Sequence, residues 1–285
     1  MAGLDDVFEG QQPAENETEN KKMSTEEWKT KREQARTDAY DKLGAATEKL
    51  TDPAALTAVL DAISRFDRYS VSNAILIADQ MPTATRLADF NYWQSHDASI
   101  KKGEHAITIL EPREFAKTDG TKWISYDPKR VFDISQTTAE AKPRPKKEVD
   151  PKKLIKALTK ASPVEMRIDN ALPEGTDARF SPETKVISVR QGMTGDDIFR
   201  ALSQEITKAR AVVEDKQTDS FAVASVAYIL CKRNDISPPA LPEKSPFENK
   251  EPKEIRAALK VIREEANNMS AVINKALEPK SKDAR

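Results

Sequence analysis

Histidine is nearly absent from this chain: His96 and His105 are the only two in 285 residues. The second half has none, so no Ser/His/Asp or Cys/His constellation can be assembled there. As metal ligands, the two histidines lack carboxylate partners that the sequence would place beside them, and half-exposed loop positions suit them better. A single cysteine, Cys231, excludes an internal disulfide framework and any multi-cysteine metal site. Its place in an apolar run predicts a small buried hydrophobe. Glycine is scarce, at eight residues, and no Gly-rich phosphate cradle is present. No apolar run approaches the roughly 18 residues of a membrane span. The longest patch, "SFAVASVAYILC" at 220–231, contains small and polar residues and reads as a buried helix. The first ten residues are acidic and lack the basic and apolar regions of a signal peptide, so a cytoplasmic protein is expected.

Charge, in contrast, is abundant and balanced. One third of the residues are charged (33%), yet the net charge is −1, which excludes coating of nucleic acid by bulk charge alone. The distribution is uneven. Residues 1–24 carry a net −4 without periodicity and read as a disordered acidic tail, whereas residues 142–160 carry a net +6. Any DNA contact must be local.

Hydrophobic spacing predicts the elements. "STEEW" opens a helix that runs to "EKL"; Asp52 and Pro53 open a second, whose Leu56, Val59, Leu60, Ile63 and Phe66 mark one buried face. A third apolar segment, "SVSNAILIADQMP", ends at Pro82. "HAITILEP" and "KRVFDISQT" read as short strands joined across a hairpin loop that contains Asp119-Gly120. The fold class expected is α+β, in two small domains. The first covers 25–138, a basic Pro/Lys-rich linker covers 139–150, and the second covers 151–240. A Pro-rich connector and a C-terminal amphipathic helix fill 241–285, with Ile255, Leu259, Ile262, Ala266 and Met269 at helical spacing.

Within the first domain, Tyr69, Tyr92, Trp93 and Trp123 offer stacking faces, and Arg68, Arg86, Lys101, Lys102 and Lys122 offer charges for phosphates. Asn73 offers a hydrogen-bonding amide. Each also has a plain structural reading: a helical tyrosine or a turn tryptophan serves a core at least as often, and Lys101-Lys102 serves a solvated loop. Taken in order, "RYSVSNAILIADQMPTATRLADFNYWQ", "SIKKGEHAITILEP" and "VFDISQT" resemble the N-terminal domain of ArdC-type antirestriction proteins of conjugative elements, over about 25–138. The resemblance implies binding of single-stranded DNA.

The second domain resembles a zinc-peptidase-like domain found fused to such a domain, through "ARFSPETKVISV", "FRALSQEITKARA" and "FAVASVAYIL". That resemblance places the His-Glu-x-x-His positions on Gln204, Glu205 and Lys208, and the acidic ligand of the next helix on Ala224. A catalytic zinc normally takes three lone-pair ligands from the protein, and here only the glutamate remains, so the resemblance implies a lost metal site. On a helical projection Ile198, Leu202, Ile206, Ala209 and Val213 share one stripe, with Gln204 and Lys208 away from it. An unrelated amphipathic helix with a chance glutamate is the alternative. The function expected is therefore a non-enzymatic single-stranded-DNA-binding protein of a mobile element or phage, with no cofactor and no metal, in antirestriction, replication or conjugative transfer. Its alternative is an interaction module that binds a partner protein in the decayed cleft.

Overall fold

The computed structural model describes residues 25–116, 122–140 and 149–278, without the side chains of Thr25, Phe115, Ala116 and Trp123. The expected acidic tail and most of the expected linker lie outside the described residues. The architecture is α+β. Two compact units divide the chain, Met1–Ala35 and Arg36–Arg285. In the first, the described residues are helical and all but the half-buried Arg32 are exposed where their side chains are described, with the Arg32 guanidinium 5.7 Å from the Trp28 ring centroid.

The helix α1 (Thr25–Glu48) precedes α2 (Pro53–Arg65), α3 (Val71–Gln80), β1 (Leu87–Ala88), α4 (Phe90–Ser95), β2 (Ile107–Ala116) and β3 (Lys122–Asp133). After the linker follow α5 (Pro151–Thr159), β4 (Glu165–Ile168), β5 (Ala178–Ser181), β6 (Val186–Val189), α6 (Gly195–Val213), α7 (Ser220–Arg233) and α8 (Pro252–Leu277). Short polar side chains start most of these helices by accepting the otherwise orphaned N–H groups of the first turn. Asp52 accepts from Ala54 and Ala55, Ser70 from Asn73, Asp89 from Tyr92, Thr194 from Asp197, and Asp219 from Ala222.

The first sheet is antiparallel in the order β1-β3-β2. Its two long strands continue past Pro112 and Pro128, beyond the ends that the sequence predicts. The reason lies in the register. Leu110 turns its N–H and C=O away from β3, toward the Asn73 side chain, so the pairs Leu110–Pro128 and Pro112–Tyr126 are non-hydrogen-bonded ones. A proline at such a position removes no ladder hydrogen bond. The second sheet has the order β4-β6-β5, with β4 parallel and β5 antiparallel to β6.

Within Arg36–Arg285 one hydrophobic core takes side chains from both halves of the sequence, including Leu60 and Ile63 of α2, Ile206 of α6, Ile229 of α7 and Leu259 of α8. The helix α2 packs on α3 and α7, and α8 packs on α3, α5 and α7. Polar contacts follow the same seam. The Tyr228 hydroxyl donates to Asp61 Oδ1 at 2.9 Å, Ser245 Oγ donates to the Leu50 carbonyl at 2.7 Å, and Arg263 Nη2 donates to the Asp67 carbonyl at 2.7 Å. Arg233 spans three segments, donating to the Ile63 carbonyl, Asn267 Oδ1 and Ser270 Oγ at 2.8–3.1 Å. Cys231 is fully buried, and that burial pushes its thiol up to about 12. No helix among the described residues is long and apolar enough to cross a membrane.

Candidate nucleic-acid interface and the surroundings of Glu205

The outer edge of β2 is closed by two carboxamides that face it from α3. Asn73 Nδ2 donates to the Leu110 carbonyl at 2.9 Å and its Oδ1 accepts from the Leu110 N–H at 2.8 Å. Seven residues on, the Gln80 amide does the same to Thr108, at 2.9 Å in both directions. Each amide imitates one residue of a further strand and satisfies a backbone N–H and C=O pair, buried at Leu110 and half-buried at Thr108. Both ends of the Asn73 amide are thereby occupied and the residue is buried, so it holds the sheet edge rather than presenting a group to a ligand.

The motifs "KKGEH" and "VFDISQT" are joined in the same way. Asp133 Oδ2 accepts from the N–H groups of Thr85 and Arg86 at 2.6 and 2.7 Å, and its Oδ1 accepts from Ser135. Burial would raise the Asp133 pKa, but these donors outweigh it, led by the backbone of Arg86 and Thr85, and hold the carboxyl below the ordinary aspartate value. Gln136 accepts from the Asp133 N–H and donates to Glu104 and to the His105 carbonyl, while Lys101 Nζ donates to the Ser135 carbonyl. Trp93 belongs to this framework: it is 3% exposed, packs with Ala98 and Ile134, and donates Nε1–H to the Phe132 carbonyl at 3.0 Å. Its ring faces are not open to a base, and its contribution is to fix α4.

What this framework positions is a groove of about 450 Å³ lined by the turn before α3, by β1 and the start of α4, and by the β2–β3 face. Tyr69, Tyr92 and Tyr126 stand around it, with Arg68, Lys129, Asp89 and Glu111. Tyr92 is held by its position after the Asp89 cap and stacks on His96 with ring centroids 4.1 Å apart. Tyr69 is half-buried, which pushes its phenol up and keeps it neutral, with Lys129 opposing that shift and Glu111 adding to it. The ammonium of Lys129 lies 2.7 Å from Glu111 and 3.2 Å from Asp89, and the hydrogen bond to Glu111 raises its pKa. The formal charges in the groove therefore cancel, and its walls are aromatic. Arg86, Lys101, Lys102 and Lys122 are exposed and do not line it. Trp123 stands opposite Phe115 in the ribbon, and its side chain lies outside the described residues. Of the residues expected from the sequence, the groove thus brings together Arg68, Tyr69, Asn73 and Tyr92. Tyr126 escapes sequence reasoning because it precedes the strand expected from Lys129 onward, and Lys129 because a lysine at a strand start carries no signal of its own. The run of β-formers in "WISY", residues 123–126, is the available signal for an earlier strand start.

On α6, Glu205 is buried and both of its oxygens are engaged. Oε2 accepts from the Phe180 N–H of β5 at 2.8 Å, and Oε1 accepts from Lys208 Nζ at 2.7 Å. Gln204 lines a polar hollow of about 250 Å³ beside it, between α6 and residues 175–178, and Ala224 is half-buried on α7. Leu202, Ile206 and Ala209 are buried as expected, but Val213 is exposed, because it ends the helix.

The architecture, an α+β arrangement of two small sheets sewn together by helices, is that of ArdC antirestriction proteins. The metal-free crystal structure of ArdC from plasmid R388 superposes with a TM-score of 0.55 at 12% identity, over 82% of this chain and 97% of that one. Its Mn(II)-bound structure superposes with a TM-score of 0.53, also at 12% identity and over the same shares of the two chains. Residues 32–161 match the model of the N-terminal domain of anti-restriction factor ArdC, and this segment belongs to that family. No curated protein matches the sequence. A divalent ion such as the Mn(II) of that relative does not fit the residues of α6 here. Glu205 is already saturated, Lys208 brings a positive charge, and no three His, Cys, Asp or Glu side chains converge among the described residues.

Proposed function

We propose that this chain is a non-enzymatic antirestriction protein of a mobile element that binds single-stranded DNA through the tyrosine groove. The observation that carries the proposal is the ring of Tyr69, Tyr92 and Tyr126 around a groove without net charge, inside the segment that matches the ArdC N-terminal domain. A duplex hides its base faces and presents phosphates, for which a neutral aromatic groove is a poor match. An unpaired strand presents bases, which stack on tyrosines, while Arg68 at the groove and the exposed Arg86, Lys101, Lys102 and Lys122 are available to its backbone. The name of the R388 relative supplies the antirestriction reading, and the mechanism in this proposal is occlusion of incoming single strands rather than bond cleavage. In this proposal the α6–α7 half is a peptidase-like scaffold in which the Lys208 ammonium and the Phe180 N–H have taken the place of a metal and its water on Glu205.

Fluorescence anisotropy of the full chain with labelled single- and double-stranded oligonucleotides tests the proposal. Tighter binding of the single strand is expected, with a loss of about 5- to 150-fold for Tyr92→Ala and for Tyr126→Ala, the range that stacking on one base contributes. Equal binding of both forms, or single-strand binding indifferent to both substitutions, would overturn it.

A further inference from the structure

The solvent face of α5 carries four lysines and no acid. With Lys152 at 0° and about 100° per residue, Lys156, Lys160 and Lys153 follow at about 40°, 80° and 100°. The buried Leu154, Ala157 and Leu158 lie between about 140° and 240°, turned toward α6 and α8. All four lysines are exposed, and no ion pair among the described residues neutralises any of them.

This arrangement works against the helix itself. Lys152, Lys156 and Lys160 repel one another at successive four-residue intervals. Lys152 and Lys153 stand in addition in the first turn, beside the positive end of the macrodipole, where acids are favoured. At Lys152 and Lys153 neutral or acidic residues would serve the helix better, and although Lys156 in the last turn and Lys160 at the C-cap suit the negative end of the macrodipole, the fold does not call for four lysines and no acid on one face. An anionic partner does.

We propose that this face is a phosphate track for a single-stranded nucleic acid, a second contact surface separate from the tyrosine groove. The proposal rests on the preceding reading only in taking the same ligand. Lys152, Lys156 and Lys160 form a row ~12 Å long in steps of ~6 Å, which sets one charge against each of successive phosphates of an extended strand. An anionic lipid surface is the weaker candidate, because a helix lying on a membrane inserts its apolar face, and that of α5 is spent on α6 and α8.

The test uses the full chain and labelled oligothymidylate of about 30 nucleotides, with affinity followed from about 50 to 200 mM salt. Replacing Lys152, Lys156 and Lys160 together by Gln is expected to reduce the slope of log affinity against log salt by about 2, at ~0.7 for each phosphate no longer neutralised. Replacing the same three by Arg preserves the slope. A control with the exposed Lys250, Lys253 and Lys275 changed to Gln makes the same charge change elsewhere and leaves the slope alone. An unchanged slope in the α5 Gln variant overturns the proposal, and so does an equal change in the control. Loss of sedimentation on phosphatidylserine vesicles with an unchanged DNA slope also overturns it, in favour of lipid. The two readings separate in the groove variants. If Tyr92→Ala and Tyr126→Ala bind like the wild type while the α5 variant loses slope, the groove reading fails and the track stands. If the wild type binds no oligonucleotide, both fall.

Discussion

At the scale of single residues, the ArdC-like motifs are largely hydrogen-bond fittings. Asn73 is needed as a carboxamide because one side chain must both accept from the Leu110 N–H and donate to its carbonyl. Asn73→Leu keeps the bulk and strands both buried groups, at about 2–4 kcal/mol of stability. Asn73→Asp keeps the acceptor but sets a carboxylate against a carbonyl, so it also destabilises. Urea denaturation checks both, as a lower midpoint at an unchanged slope. Asp133 makes a second prediction. Its folded pKa lies below the ordinary aspartate value near 3.8, because the Arg86, Thr85 and Ser135 donors outweigh burial. A depressed carboxylate contributes stability that is fully present above the unfolded value and is lost as pH falls through the folded one. Urea midpoints should therefore fall below about pH 4, with a shallower acid limb in Asp133→Asn. The same residues explain what a sequence conceals at this scale. Trp93 and Asn73 were legible as important, but a ring that stacks on a base and a ring that fills a core are spelled alike. Only the partner of Nε1, or of Oδ1 and Nδ2, tells them apart.

At the scale of elements, spacing was a good guide to helices and a poor one to strand ends. The stripes of α2 and α8 are buried at every residue that the spacing marks, because a 3.6-residue repeat survives any arrangement of the partners. Strand ends depend on which edge a proline faces. That depends in turn on register, so the strand ends read at Pro112 and Lys129 are not the ends that form. How closely elements approach was not legible either. Gly195 begins α6 with ordinary backbone angles, yet a Cβ built there would lie 2.8 Å from Cβ of Pro151, at the start of α5. Gly195→Ala is therefore expected to destabilise by about 1–3 kcal/mol, through overpacking against a rigid ring. Gly44, inside α1, has nothing within 4 Å of its would-be Cβ, and Gly44→Ala should stabilise by about 0.5–1 kcal/mol from helix propensity alone. Thermal unfolding of the two variants should move in opposite directions.

At the scale of the whole molecule, the roles proposed for the two halves are separate but their packing is shared. A linker rich in proline and lysine suggests two bodies that fold alone, and nothing in local composition reveals that α2 is covered by α7, or α3 by α8. The segments that meet there are hundreds of ångströms apart along an extended chain, and no periodicity encodes their meeting. Arg233 shows how the seam is held. Its guanidinium is partly buried, and that burial lowers its pKa, but it stays charged because its ordinary value is so high. Its donors reach the Ile63 carbonyl near the end of α2, and Asn267 and Ser270 of α8. Arg233→Ala leaves those acceptors without donors and opens a cavity between three helices, at about 2–4 kcal/mol. If the seam is one core, that loss appears as a lower midpoint of a single transition, reported alike by far-ultraviolet circular dichroism and by tryptophan fluorescence, which is dominated by the first half. A polypeptide of residues 25–138 alone, deprived of α7 and α8, should expose the apolar face of α2 and bind a hydrophobic dye. Two separable transitions in the full chain, or a well-packed isolated 25–138, would show instead that each half carries a sufficient core of its own.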